Sequence, residues 1–440
     1  MASDDSRRVS LLLGLLFGLT GMGSASAAIA LPAVGAHFGI GVGDAAWTIS
    51  LYALMLAVTT AVYGRVSDLV GVRTPLLVGI GLMTAGALVA AFAPSYGVLL
   101  AARLLQGAGA AAVPTLGVAI LSARYDGSVR GLAFGRLAGV AAAVSCLGPL
   151  LGGAVEHAFG WRAVMAIPVL GLLVIPFLWR ALVGDGSGAS LDILGAVLVA
   201  LTAAGLVLLV QSPSTGLVVA LVGVVLMVLG APLVALQVRR RPLDGFLPLS
   251  VIGNKTVVRS ALAAAAVPAA WFGQLIAVPA VLVADGWEPW QVGLLLVPSA
   301  VVALAVPRVA GPLLDRIGAS ASLAVSGVTA SLALLVAALG AALDLPAVLG
   351  VAVLLVTLAF GLGQPSLSAA VGAAVHVDVR GVALGIATLV FMTGGSVGSA
   401  VVGGAGDVLG VPVSLALLAV LPLLGLLALL PELKRVPEPV

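Results

Sequence analysis

Charge is what this sequence has least of. Only 8% of its 440 residues are Asp, Glu, Lys or Arg, against about 25% in an ordinary soluble domain. No water-soluble surface can be built from that supply, so a cytosolic enzyme, a nucleic-acid binder and a disordered chain are excluded before any motif is read. Cysteine is nearly absent, and the single Cys146 rules out an internal disulfide framework. Aromatic residues reach only 5%. No Gly-x-x-x-x-Gly-Lys-Ser/Thr loop offers a nucleotide site, and no cluster of His, Cys, Asp and Glu offers metal ligands. Neither catalysis, nor a cofactor, nor a metal is expected.

What the chain does have is apolar length. Hydrophobic residues make up 62% and the mean hydropathy is +1.27, so the lipid bilayer is the expected solvent. A spanning helix needs about 20 apolar residues, because the hydrocarbon core is ~30 Å thick and each residue rises ~1.5 Å. Fourteen such runs are present. Seven lie near Val9–Leu31, Ala45–Tyr63, Pro75–Pro94, Tyr96–Leu121, Leu132–Val155, Ala163–Trp179 and Ile193–Val210. Seven more lie near Gly216–Leu236, Val257–Val283, Val292–Ala310, Ser320–Ala341, Leu345–Val371, Val382–Gly404 and Val411–Leu430. A count of twelve would require Ile193–Val210 and Gly216–Leu236 not to span. The first run has an alternative as a secretory signal, since Arg7 and Arg8 precede it and Ser24–Ala28 mimics a cleavage site. Its apolar stretch continues to Leu31, which favours a retained helix.

The net charge of +3 is too small to suggest a polyanionic partner, so placement matters more than sum. With the N-terminus inside, all but three of the 20 Lys and Arg residues fall in inner loops. Arg162 falls outside, and Arg103 and Arg136 fall within apolar runs. An even number of spans with both termini cytoplasmic follows, in the inner (cytoplasmic) membrane of a cell.

The chain also repeats itself. Gly64-Arg65-Val66-Ser67-Asp68-Leu69-Val70-Gly71 recurs in spacing as Gly311-Pro312-Leu313-Leu314-Asp315-Arg316-Ile317-Gly318, an offset of 247. Arg130-Gly131-Leu132-Ala133-Phe134-Gly135 recurs as Arg380-Gly381-Val382-Ala383-Leu384-Gly385, an offset of 250. The expected organisation is a six-helix half over 1–182, two inserted helices with a linker over 183–243, and a second six-helix half over 244–440. Parallel halves about a central cavity are a transporter architecture.

Several motifs have a physical reading of their own. Gly64 and Gly71 permit a tight turn between the second and third helices, and Asp68 can pair with a cation such as Arg130 or remain a solvated loop charge. Arg103 sits about seven residues into the fourth run, where a charge is costly unless paired, watered or snorkelling to the interface. Gln106 and Gly107 follow on the same helix face. Gly148-Pro149 and Gly152-Gly153 would bend the fifth helix and admit a close neighbour, since Pro removes an intrahelical bond and Gly removes the Cβ barrier.

Taken with Ala30-Leu31-Pro32, Trp47, Ala102-Arg103-Leu104-Leu105-Gln106-Gly107, Gly109-Ala110-Ala111 and Trp161-Arg162, these motifs give a chain that resembles the major facilitator superfamily. The likeness is to its fourteen-helix drug:proton antiporter branch, including the Gram-positive type of tetracycline efflux pump. It covers nearly the whole chain and is strongest from Ala30 to Pro168. The resemblance implies an all-α integral membrane protein of the major facilitator fold. It implies a cytoplasmic latch at Gly64, Arg65, Asp68, Gly71, Arg73 and Arg130, and a role for Arg103 and Gln106 in proton relay or cavity shape. It also implies that the Gly148-Pro149 pattern marks export, with the proton gradient as energy source and the chain acting as a monomer.

Two features depart from that family. Gly23 stands where many relatives carry Asp, and Gly395 lies in the thirteenth run, where tetracycline pumps carry Glu. All 17 acids can be placed at helix ends or in loops. Arg136, whose partner in the second half is Ile386, stays charged at any relevant pH and can bind an anion or snorkel. Trp47, Tyr52, Trp271, Gln274 and Gln364 are the remaining candidates for substrate contact, or they simply satisfy neighbouring helices. The expected function is export of a small hydrophobic or amphipathic compound by alternating access. The alternatives are a proton-independent carrier of an anionic natural product and, with no motif in favour, a lipid flippase.

Overall fold

The computed structural model describes residues 2–125, 127–182, 192–242, 245–376 and 379–434. No strand occurs among them. Helices keep every backbone hydrogen bond within the segment, the condition for crossing hydrocarbon without a closed barrel. Among the described residues, fourteen helices are long and apolar enough to span. They are α1 Asp4–Ile29, α2 Gly43–Gly64, α3 Arg73–Ala91, α4 Tyr96–Leu121, α5 Leu132–Phe159, α6 Trp161–Leu178 and α7 Ile193–Pro213. The rest are α8 Leu217–Arg240, α9 Lys255–Ala284, α10 Pro289–Val306, α11 Ala319–Ala342, α12 Pro346–Ala374, α13 Val382–Leu409 and α14 Val411–Leu433.

Breaks inside these spans follow proline. Helical assignment lapses at Ala111, Leu147, Val297 and Ala419, shortly before Pro114, Pro149, Pro298 and Pro422. Each ring removes the donor that would have bonded four residues back. The α5 helix is interrupted at Leu147, whose N–H reaches the Ala143 and Val144 carbonyls at 3.3 and 3.2 Å.

The duplication extends into backbone geometry. Gly71 (φ 76°) and Gly318 (φ 79°) end corresponding helices in the two copies of the motif. Gly160 (φ 77°) and Gly410 (φ 85°), 250 apart, mark a second matching pair of junctions that sequence comparison missed. All four occupy positive-φ conformations that a side chain would strain.

The chain forms two compact units, Met1–Leu191 with Val278–Leu304, and Asp192–Ala277 with Ala305–Val440. In the first, α1 lies along α5. A methyl group placed on Gly14 would come within 2.9 Å of the Leu137 carbonyl, and one on Gly18 within 2.5 Å of Val144 Cβ. One end of the unit is tied by Asp5, whose carboxylate receives Arg124 Nε at 3.0 Å and the Tyr125 hydroxyl at 2.6 Å. Burial first, and then the bond to Asp5, push the Tyr125 hydroxyl up to about 12.

In the second unit α7 and α8 form a hairpin that crosses at Gly205 and Gly223, each within 2.8 Å of where the other's carbonyl would meet a Cβ. The hairpin is anchored at Asp192. Its carboxylate caps α7 through the Gly195 N–H at 3.0 Å, and it accepts from Gln237 Nε2 at 2.8 Å and the Phe246 N–H at 2.9 Å. Burial alone would raise its pKa, but the Phe246 and Gly195 amides, Gln237 and Arg241 outweigh burial and leave it lowered. Asp192→Ala orphans three donors and is expected to cost about 1–2 kcal/mol, read as a lower Tm of the detergent-purified protein. Because the folded pKa is depressed, the wild-type contribution is complete above the ordinary carboxylate range and fades only as pH falls through the lower folded value. The gap between wild type and variant should therefore be constant from pH 6 to pH 8.

Candidate transport site

The site grows from α4. Arg103 is fully buried, so the snorkelling alternative does not hold. Its Nε donates to the Thr48 carbonyl of α2 at 2.9 Å and its Nη1 to Gln106 Oε1 at 2.5 Å. The guanidinium lies 4.3 Å from the centroid of the Tyr52 ring, in cation–π range. Nη2 has no hydrogen-bond partner, and no carboxylate pairs with Arg103 among the described residues. Gly107 allows this arrangement: a Cβ there would overlap the Tyr52 backbone carbonyl, so α2 and α4 meet at their main chains and the ring stands beside the guanidinium. Tyr52, expected as a substrate contact or as a residue that satisfies neighbouring helices, is only 2% exposed and stands against Arg103. Trp47, five residues earlier on α2, is also buried.

The fifth helix supplies the second component. Past the break at Leu147, Gly148 and Gly152 seat against α1, and Ser26 of α1 donates to the Gly148 carbonyl at 2.8 Å. A Cβ on Gly152 would lie 2.7 Å from Ser26 Cα. Gly153 faces the other way, onto Pro289 and Trp290 of α10, while Gly293 of α10 approaches Pro149 and Leu150. The Gly-Pro pattern thus makes a joint with bare backbone on two sides. Farther along α5, Arg136 is half-buried and has no ion-pair or hydrogen-bond partner among the described residues.

The latch motif is placed in part. The helix of α2 runs unbroken through Gly64 to Val70, so the turn expected from Gly64 is made by Gly71 alone. Gly64 lies within helix, with Thr115 Cγ2 3.8 Å from where its Cβ would be, and nothing there forces the chain to turn. Arg73 is exposed, its guanidinium 3.8 Å over the Trp179 ring. The side chains of Arg65, Asp68 and Arg130 lie outside the described residues.

Both positions expected to be acidic are filled by neighbours. A Cβ on Gly23 would overlap Pro168 of α6, and one on Gly395 would lie 2.6 Å from the Phe272 ring. Neither has room for a carboxylate. Acids of the described residues stand at span ends, as Asp44, Glu156, Asp407 and Glu432 do, and Glu432 is paired with Arg259 at 3.0 Å.

The second unit holds the other predicted contacts. Trp271 of α9 is half-buried and its ring centroid lies 5.3 Å from that of Phe360 on α12, which lies 5.6 Å from Phe391 on α13. Phe360 and Phe391 were not singled out from sequence, because an aromatic residue inside an apolar run carries no signal until the fold brings rings together. Gln274 is 2% exposed and neither its amide oxygen nor its nitrogen has a partner. Gln364 of α12 is half-buried.

Comparison with known proteins places this arrangement. A family model described as Major Facilitator Superfamily matches residues 13–192 and 186–399. The chain is 30% identical over 301 residues to the multidrug resistance protein Stp of Mycobacterium tuberculosis (strain CDC 1551 / Oshkosh), covering 66% of this chain and 56% of that protein. It is 33% identical over 159 residues to an uncharacterized MFS-type transporter of Mycobacterium tuberculosis (strain ATCC 25618 / H37Rv), covering 35% and 28%. It is 33% identical over 154 residues to the efflux pump dotC of Dothistroma septosporum (strain NZE10 / CBS 128990), covering 35% and 26%. The matches thus span between about a quarter and just over half of these relatives' own length. A crystal structure of a POT family transporter in complex with 5-aminolevulinic acid shares the fold, with a TM-score of 0.71 and 14% identity over 97% of this chain and 96% of that one.

The crowding at Gly23 gives a direct test. Gly23→Asp is expected to lower the Tm of the purified protein, since overpacking costs about 1–3 kcal/mol and the new carboxylate is buried as well. Adding Pro168→Ala should recover part of that loss. A Gly23→Asp variant as stable as wild type would show that the α1–α6 contact yields.

Proposed function

The chain belongs to the Major Facilitator Superfamily, and from that premise we propose that it exports a small hydrophobic or amphipathic compound by alternating access. In this reading both termini are cytoplasmic, the chain works as a monomer in the cell's inner membrane, and protons moving inward drive export. The names of Stp and dotC point the same way. The observation that carries the proposal is the joint on α5, broken at Leu147 and seated through Gly148, Gly152 and Gly153. Backbone-to-backbone seats have no interdigitated side chains to unlock, so helices meeting there can shift by small shear steps. Alternating access needs that freedom.

A second reading rests on Arg136. A half-buried guanidinium with no partner among the described residues, in spans whose middles hold no described carboxylate, favours a carrier for an anionic natural product that moves without protons. Proton antiport ordinarily uses a carboxylate whose pKa shifts between facing states, and the two usual positions are closed.

One assay separates the readings. In everted vesicles energised to an acidic interior, a pH-sensitive dye should dequench on addition of an exported compound, and vector-only vesicles should stay silent. Substrate uptake with no dye response would favour the proton-independent carrier. Arg136→Gln is expected to weaken transport of a carboxylate-bearing substrate about ten- to a hundredfold, the loss of one charge-assisted hydrogen bond, and to leave a neutral substrate unaffected. Equal transport of both would remove Arg136 from the site.

A further inference from the structure

Resting on the transporter reading, we infer that α9, α12 and α13 carry a binding subsite for an uncharged planar ring system with an N–H beside a C=O, a lactam or imide edge. Three observations converge on it. The first is the ring contact of Trp271, Phe360 and Phe391. Phe391 is wholly buried, while Trp271 and Phe360 are half-buried. Tilted rings with open faces stack flat ligands and are indifferent to ligand charge unless a cation is offered.

The second is Gln274. A primary amide that is 2% exposed and unpartnered at both oxygen and nitrogen is a buried donor–acceptor pair waiting for its complement. It lies three residues beyond Trp271, on the same face of α9. A cis-lactam edge satisfies both of its atoms at once through two parallel hydrogen bonds, whereas a carboxylate only accepts and leaves the amide oxygen unpaired.

The third is register. Gly363 of α12 faces Val267 of α9, and Phe360 faces Trp271, so the two helices run antiparallel along this contact. Gln274 therefore stands one turn to one side of the rings and Gln364, four residues after Phe360, one turn to the other. A ring stacked between them meets an amide at each end and no carboxylate of these helices, since the one described acid of α9, α12 and α13, Asp407, stands at a span end.

Phenanthridinone is a suitable probe, being flat, neutral, fluorescent and a cis-lactam, and its N-methyl derivative lacks only the donor. Binding would be followed by fluorescence with the full chain in nanodiscs. The inference expects the N-methyl derivative to bind about tenfold more weakly. Gln274→Met should erase that preference while leaving Tm equal or higher, because it removes an unpartnered buried amide. Trp271→Leu should weaken both probes alike. Equal binding of both probes by wild type would overturn the inference, as would a Gln274→Met protein that loses stability and keeps its lactam preference. Vesicle export tells the two levels apart. Lactam binding without export of any compound would sink the transporter reading and leave the subsite, whereas export of other compounds without lactam binding would sink the subsite alone.

Discussion

Hydrocarbon leaves no partner for an exposed backbone amide, and it also removes the hydrophobic drive that packs helices in water. A chain this apolar must therefore hold its helices together by close van der Waals contact, and close contact requires that side chains be absent where main chains meet. Glycines at the helix contacts serve that need. Gly14 and Gly18 bring α1 onto α5, Gly107 brings α4 onto α2, and Gly205 with Gly223 closes the α7–α8 hairpin. What is distinctive follows from those seats. Arg103 can be fully buried because Gly107 lets Tyr52 stand at its flank, and the α5 joint has two bare sides because its glycines are spaced to face α1 and α10 in turn.

Arg103 shows how a cation can be accommodated with no carboxylate beside it among the described residues. An unpaired ion transferred from water to a low-dielectric interior carries a penalty of several kcal/mol even after relaxation. Here it is offset by a carbonyl, an amide oxygen and an aromatic face. None of these is ionisable near neutral pH, so the arrangement holds its charge while the medium changes. That makes it a fixed positive centre rather than a proton carrier.

Much of this was legible in the sequence. The fourteen spans follow from apolar length, the α5 break from Gly148-Pro149, and the helix ends at Gly71 and Gly318 from the repeat. Depth along a run located Arg103, but whether it snorkels or turns inward depends on α2, which pattern reading cannot supply. The same limit explains Gly64: a glycine before a charged loop reads as a turn, yet in the fold the helix simply continues through it. Absence of acid at Gly23 and Gly395 was legible, and its cause was not, because Pro168 and Phe272 reach those positions only through tertiary packing. The aromatic contact of Phe360 and Phe391 was invisible for the same reason.

The crowding at Gly23 and Gly395 bears on coupling. Antiport requires that proton and substrate exclude one another, which is simplest when both compete for one carboxylate. In this chain the two usual places for that group are closed by a proline ring and a phenyl ring, so an acid cannot be gained there by one substitution without repacking a second helix. Coupling, if the chain has it, must then use a group near a helix end or a proton carried by the substrate itself. A substrate that is neutral when it enters and ionises on release would need no protein carboxylate at all. The chemistry of the cargo and the source of the driving force are therefore one question for this protein.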